Sequence, residues 1–303
     1  MVKLCVASTV RAPLNETLMF INYHLNIGVD EIVIFFDDPC DAAIAHLDKL
    51  DRVTCIRCDE QYWHSFGYEG LPPFEERLVT NANAGVEIAR TKGCQWVILI
   101  DNDELVYPIG DLKEILSNCR ADVLRFTVNE AVSEMENYEN IFSPTLFKKP
   151  ARYRKTLSMI LGCRKAYFFG EYFRGHLASK AAYRTSSNIK LTDTHGPRTS
   201  GHGLVVQRTP NVLLLHFDCV GLDAWKSKWL GRIKGAAIGS SMRGNRKKQL
   251  EFFAEAFSGG EEKIRELYKR LHTIPRRVRI VLRLLGMLGT VKVDSKLFLP
   301  PNK

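Results

Sequence analysis

Residues 96–106 read Trp-Val-Ile-Leu-Ile-Asp-Asn-Asp-Glu-Leu-Val, so an apolar run delivers Asp101 and Asp103 two positions apart and then turns apolar again. Two carboxylates at i and i+2 past the end of a strand can present their oxygens to one hard divalent cation. Mg²⁺ and Mn²⁺ bound in that way keep coordination positions for a substrate phosphate. Such a cation joins the protein to a diphosphate and neutralises the charge that develops as the diphosphate leaves. Asp-Asn-Asp also suits a plain polar turn. An EF-hand loop is excluded, because the central glycine and the terminal glutamate are missing at their positions.

Such residues need a scaffold, and the flanking pattern supplies one. Residues 3–9 read as a buried strand and 15–28 as a helix, with Asn15 placed to cap it and Gly28 to stop it. Further strands are expected at 31–38, 52–60 and 96–101, with helices at 41–50 and 73–93 between them. This alternation predicts an α/β fold with a mostly parallel, doubly wound sheet. A helix at 110–119 and a strand at 122–130 come next, and 131–215 reads as an irregular, acceptor-facing or lid region. A strand at 211–217 then leads to helices at 222–237 and 245–271.

Ligands of doubly wound sheets bind at the carboxyl ends of the strands. Ser8 to Arg11, Asp37 and Asp38, Asp59 and Glu60, and Asp101 to Asp103 all fall at such ends, so acid collects on one rim.

The chain has 303 residues, 45% of them hydrophobic and 25% charged, which describes a globular protein rather than a disordered one. A net charge of +9 favours anionic partners. A nucleic-acid surface would interleave aromatics with the basic residues, and no such pattern or module occurs, so nucleic acid is not an expected partner. The eight cysteines lack regular spacing and read as reduced core residues, and Cys55-x-x-Cys58 has no second ligand pair for zinc.

No signal-peptide core or membrane span stands out, so a cytoplasmic location is expected. From Lys263 onward basic residues alternate with Ile, Val and Leu, and Pro275 separates two helical pieces. Such a tail can make peripheral contact with the inner face of an anionic membrane.

Three stretches, "TVRAPLNETLMFINYHLNIGVDEIVIFFDD", "WVILIDNDELV" and "LLLHFDCVGLDAWKSKWLGR", occur in this order. Together they resemble glycosyltransferase family 2 enzymes, with their GT-A fold and D-x-D motif, and the related family 92 type. The resemblance implies a GT-A domain over 1–240, with a nucleotide-sugar half at 1–130 and an acceptor-facing half at 131–240, and C-terminal helices with a basic tail over 241–303. It also implies inverting, Mn²⁺- or Mg²⁺-dependent transfer of a hexose from a nucleotide sugar, uridine-linked, to a saccharide or lipid-linked acceptor in cell-surface polysaccharide synthesis.

Residue by residue, Asp103 would be the principal metal ligand, Asp101 would assist through the ribose or a metal-bound water, and His216 would lie near the metal or diphosphate. Asp37 or Asp38 would face the base or ribose, and the backbone from Thr9 to Arg11 would line the base pocket. Lys180 and Arg184, with His195 nearby, would bind the diphosphate. The base that takes the acceptor proton would be Glu171 or Asp193. The family often shows Lys-Asn-Glu after the first strand, whereas this chain has Arg11-Ala12-Pro13, with Glu16 further on. A non-catalytic nucleotide-sugar-binding subunit and a basic nucleic-acid-binding protein are the competing readings.

Overall fold

The computed structural model describes residues 2–150, 179–193, 196, 203–218, 220–233 and 244–301, and for 244–249 the backbone only. The described strands are β1 (Leu4–Val10), β2 (Glu31–Phe36), β3 (Val53–Arg57), β4 (Trp96–Leu99), β5 (Glu104–Pro108), β6 (Val123–Ala131), β7 (Leu146–Lys148), β8 (Ala181–Arg184), β9 (Val206–His216) and β10 (Leu288–Thr290). Two compact units divide the chain: Met1–Val128 with Ala178–Leu214 and Asp294–Lys303, and Asn129–Leu177 with Leu215–Val293.

In the first unit β4, β1, β2 and β3 lie side by side and parallel. Nearly every residue of β1, β2 and β4 is buried, as a parallel sheet covered by helices on both faces requires. Next to β4 the direction reverses, because β8 runs antiparallel to it and β6 antiparallel to β8. This is a mixed α/β fold with a mostly parallel sheet.

Helix α1 (Leu14–Asn26) crosses from β1 to β2, α2 (Ile44–Leu47) and α3 (Glu60–Ser65) flank β3, α4 (Phe74–Thr91) leads to β4, and α5 (Leu112–Asn118) precedes β6. Helix α4 comes close to the sheet at Gly85, where an added Cβ would sit 2.9 Å from the Ala7 Cβ. Alanine would gain about 1 kcal/mol of helix propensity, but overpacking a tight contact costs about 1–3 kcal/mol. Gly85→Ala is therefore expected to lower stability by up to about 2 kcal/mol in urea unfolding, and Gly85→Leu by more.

Several sequence expectations shift. Helix α1 opens at Leu14 behind Pro13, and its first turn has no side-chain cap, so Asn15 does not cap it; Gly28 does stand just past its end, at φ 99°. Strand β3 stops at Arg57, and Asp59 is the cap of α3, accepting from the Tyr62 N–H at 2.8 Å. That acid is committed to a helix end and does not extend the rim. The helix expected at 245–271 is two, Gly244–Ser258 and Glu261–His272. Gly259 and Gly260 break it, Gly260 at φ 90°, where glycine is favoured.

In the second unit the helices Leu222–Ile233, Gly244–Ser258 and Glu261–His272 pack around Trp225, Trp229, Phe253 and Tyr268. Strand β7 pairs with β10 and with the end of β6, where Lys148 and Glu130 form a buried ion pair at 2.7 Å. No helix among the described residues is long and apolar enough to cross a membrane.

Candidate functional site

The chain leaves β4 through a β-turn in which Glu104 N–H donates to the Asp101 carbonyl at 3.1 Å. The Glu104 carboxylate accepts from Asp101 N–H at 2.8 Å, which locks the turn. Asn102 and Glu104 are buried while Asp101 and Asp103 are half-buried, so the two aspartates are left for other partners.

Helix α1 anchors β5 just beyond this turn. The Tyr23 hydroxyl donates to the Val106 carbonyl at 2.8 Å, and Val106 N–H points at His24 Nε2 at 3.4 Å. On its other side His24 Nδ1 lies 2.8 Å from the Phe20 carbonyl, a bond only an N–H can make, so the ring is the neutral Nδ1–H tautomer. The adjacent Tyr-His pair thus grips one residue of β5 by both its backbone groups.

Burial pushes the His24 pKa down to about 3 from 6.5, against the weaker pull of the Phe20 carbonyl. A folded pKa below the unfolded one means that the unfolded chain takes up a proton the folded chain refuses as pH falls through 6.5. His24 should therefore contribute a loss of about 2 kcal/mol between pH 7 and pH 5, continuing toward pH 3. Urea unfolding at the two pH values checks this, and His24→Leu should remove that share of the pH dependence.

Strands β5 and β9 pair, with Ile109 N–H donating to the Asn211 carbonyl at 2.8 Å. Asp103 immediately precedes β5 and His216 ends β9, with Asp218 two residues on. Asp103 belongs to the first unit, and His216 and Asp218 belong to the second. Carboxylate oxygens favour hard divalent cations, and an imidazole nitrogen favours transition metals such as Mn²⁺. The Lys228 ammonium pairs with an Asp218 oxygen. Glu16, in the first turn of α1, has its pKa raised by partial burial and by the charge of Asp103, which places a further carboxyl within reach of that field.

Asp101 is paired with Lys180, whose Nζ lies 3.0 and 2.9 Å from its two oxygens. Burial alone would lower the Lys180 pKa, but the charges of Asp101 and Glu104 outweigh it and raise it.

The register explains why Lys180 is there and Arg184 is not. Ala181 faces Leu99, so Lys180 stands at the carboxyl end of β4, whereas Arg184 faces Trp96 at its amino end. Four residues of strand separate the two by about 13 Å. Arg184 stacks over the Trp96 ring at 4.4 Å and donates to the carbonyls of Ala121 and Cys119. It holds strand ends together at the amino end of β4.

At the end of β2, Asp37 is buried and 2.8 Å from the Arg77 guanidinium of α4, with Arg11 at 3.8 Å. Its carboxylate is held in an ion pair with a residue of α4. Asp38 is exposed and accepts from Cys40 N–H at 2.9 Å. Thr9 Oγ1 accepts from the Asn81 amide at 3.1 Å, and the Asn81 oxygen accepts from the Tyr62 hydroxyl at 2.7 Å. This chain of polar groups lies beside an aromatic set in which Tyr62 contacts Trp63 and Phe66.

Asp193 is exposed in a bend. Its charge adds to the burial that pushes the Tyr183 hydroxyl up to about 12, against the opposing pull of Arg125 and Lys180. Glu171 and His195 lie outside the described residues. Asp218 was not anticipated from the sequence, although His216-x-Asp218 repeats, at the end of β9, the spacing that marked Asp101 and Asp103 after β4.

No protein-family model matches this chain. Two glycosyltransferase-like proteins of Arabidopsis thaliana are similar to it in sequence. One is 25% identical over 219 residues, spanning 64% of this chain and 48% of the relative. The other is 24% identical over 228 residues, spanning 64% and 42%. The chain thus spans about half the length, or less, of the curated relatives it matches. Among solved structures, HddC from Yersinia pseudotuberculosis is 12% identical with a TM-score of 0.39, covering 75% of this chain and 97% of that one. S. aureus TarS 1-349 in complex with UDP-GlcNAc is 13% identical with a TM-score of 0.37, covering 92% and 83%.

Proposed function

We propose that this chain is a glycosyltransferase that moves a hexose, with inversion, from a uridine-linked nucleotide sugar to a saccharide or lipid-linked acceptor, in cell-surface polysaccharide synthesis. The observation that carries the proposal is Asp103, set beyond the carboxyl end of the parallel strand β4 by a turn that Glu104 locks, with a similarity to glycosyltransferase-like proteins beside it. Asp103 and His216 would hold Mn²⁺ or Mg²⁺, with the imidazole favouring Mn²⁺. When bound, the cation supplies charge neutralisation for the departing diphosphate.

The chain's own residues do the rest. Glu104 fixes the turn that aims Asp103, and the Tyr23 and His24 grip on Val106 holds the strand behind it. Lys180 neutralises the charge of Asp101, which lowers the repulsion an incoming anion would meet. The acceptor proton would pass to Glu171 or Asp193 as the acceptor oxygen attacks the anomeric carbon. In this reading residues 1–130 handle the donor, 131–240 face the acceptor, and 241–303 form the C-terminal helices and tail. A lipid-linked acceptor would put the work at the inner face of a membrane.

The experiment is release of nucleotide from a panel of nucleotide sugars with Mn²⁺ or Mg²⁺, repeated with EDTA, since slow donor hydrolysis needs no acceptor. Release from one uridine-linked donor that stops with EDTA supports the proposal. Binding of that donor without release, with or without an acceptor panel, would replace it with a nucleotide-sugar-binding role.

A further inference from the structure

The helix Arg276–Leu284 has two apolar sides, and only one of them is packed. Leu282 is fully buried, along with Ile274 before the helix and Leu288 after it. On the other side Ile280, Val281, Leu284 and Leu285 are 55%, 46%, 83% and 57% exposed, and Leu284 is the most exposed large apolar residue among those described. Residues 277, 280, 281 and 284 obey the i, i+3, i+4, i+7 rule and so share one face. Arg277 begins that face, and the exposed Arg276 and Arg283 border it. Arg279 is turned away, bonded to Glu134 at 2.6 Å and to the Ile274 carbonyl at 2.6 Å.

We infer that this face is a docking surface for an anionic lipid bilayer, with Ile280, Val281, Leu284 and Leu285 in the acyl boundary and Arg276, Arg277 and Arg283 at the headgroups. The composition of the face selects this occupant. All four apolar residues are aliphatic, every charged residue of the helix is an arginine, and no acid lies between Arg276 and Leu285. A protein interface of this size would be expected to carry aromatic anchors and charges of both signs. A bilayer needs neither, and it offers hydrocarbon and negative charge at the separation an arginine side chain can span. The net charge of +9 favours the same partner.

This inference stands apart from sugar transfer, because its test uses neither donor nor acceptor. The full chain would be mixed with vesicles of phosphatidylcholine alone or with about one third phosphatidylglycerol, and bound protein would be measured by co-sedimentation. Wild type should bind the anionic vesicles, and binding should weaken as salt is raised. Leu284→Glu with Ile280→Glu should lower the partition coefficient at least tenfold. Arg276→Gln with Arg277→Gln and Arg283→Gln should erase the preference for anionic lipid. Both sets alter exposed positions, so circular dichroism and the melting temperature should match wild type. Equal binding by Leu284→Glu with Ile280→Glu and wild type would overturn the inference. So would a wild-type dimer that these substitutions dissociate, which would make a second copy of the chain the occupant.

Discussion

Asp103→Asn is expected to lower cation-dependent nucleotide release by at least about a hundredfold, close to 2.7 kcal/mol of barrier. An amide keeps the size of the side chain but removes the negative charge and one good oxygen ligand of the proposed cation. His216→Ala should give a loss of similar size. Asp101→Asn should cost less, because that carboxylate serves Lys180. The comparison separates a ligand role from damage to the fold. Asp103 is half-buried, and its charge raises the Glu16 pKa, so neutralising it relieves a repulsion and should not reduce stability. The check is release kinetics with Mn²⁺ titrated against each variant. An Asp103→Asn protein with wild-type Mn²⁺ dependence would place the ion elsewhere.

The largest loss of stability should come from Arg77→Leu. Asp37 and Arg77 are almost completely buried, with side chains 3% and 9% exposed and 2.8 Å between charged atoms. The pair as a whole gains little, since burying two charges costs nearly what their attraction returns. Removing one partner is different, because the other charge stays buried and uncompensated, at a cost of about 3–5 kcal/mol. Arg11 stands 3.8 Å from Asp37 but is exposed, so it can offset only part of that cost. In a unit of this size the melting temperature should fall by about 10 °C. Asp37→Asn combined with Arg77→Leu should recover most of the loss, because it removes the stranded charge along with its partner. Calorimetry of the two single variants and the double variant checks it. A double variant no more stable than Arg77→Leu would mean that Arg77 acts through packing, for example against the Phe74 ring 5.4 Å away, rather than through charge.

The local elements were largely legible in the sequence. Apolar runs with little internal polarity announced β1, β2 and β4, and the positions of Gly28, Gly93 and Pro275 marked where helices begin or have ended. Short strands were not legible. Strands β7 and β10 have three residues each, too few for any periodicity, and they exist because each offers the other a ladder. Strand β5 read only as an apolar continuation, and what makes it a strand is its pairing with β9 and the grip of Tyr23 and His24.

By itself the sequence determined which residue types meet the end of each strand, since alternation and punctuation are local and depend on neighbours within a few positions. It therefore placed Asp101 and Asp103 after β4 and His216 at the end of β9. It did not determine what each would face. Lys180 is 79 residues from Asp101, and the one-sided register of β8 against β4 is what brings Lys180 to the rim and carries Arg184 to the opposite end. Long-range packing likewise set Asp37 against Arg77 of α4. Charge partners and ligand groups are set by which strands and helices lie side by side, and only the tertiary structure decides that.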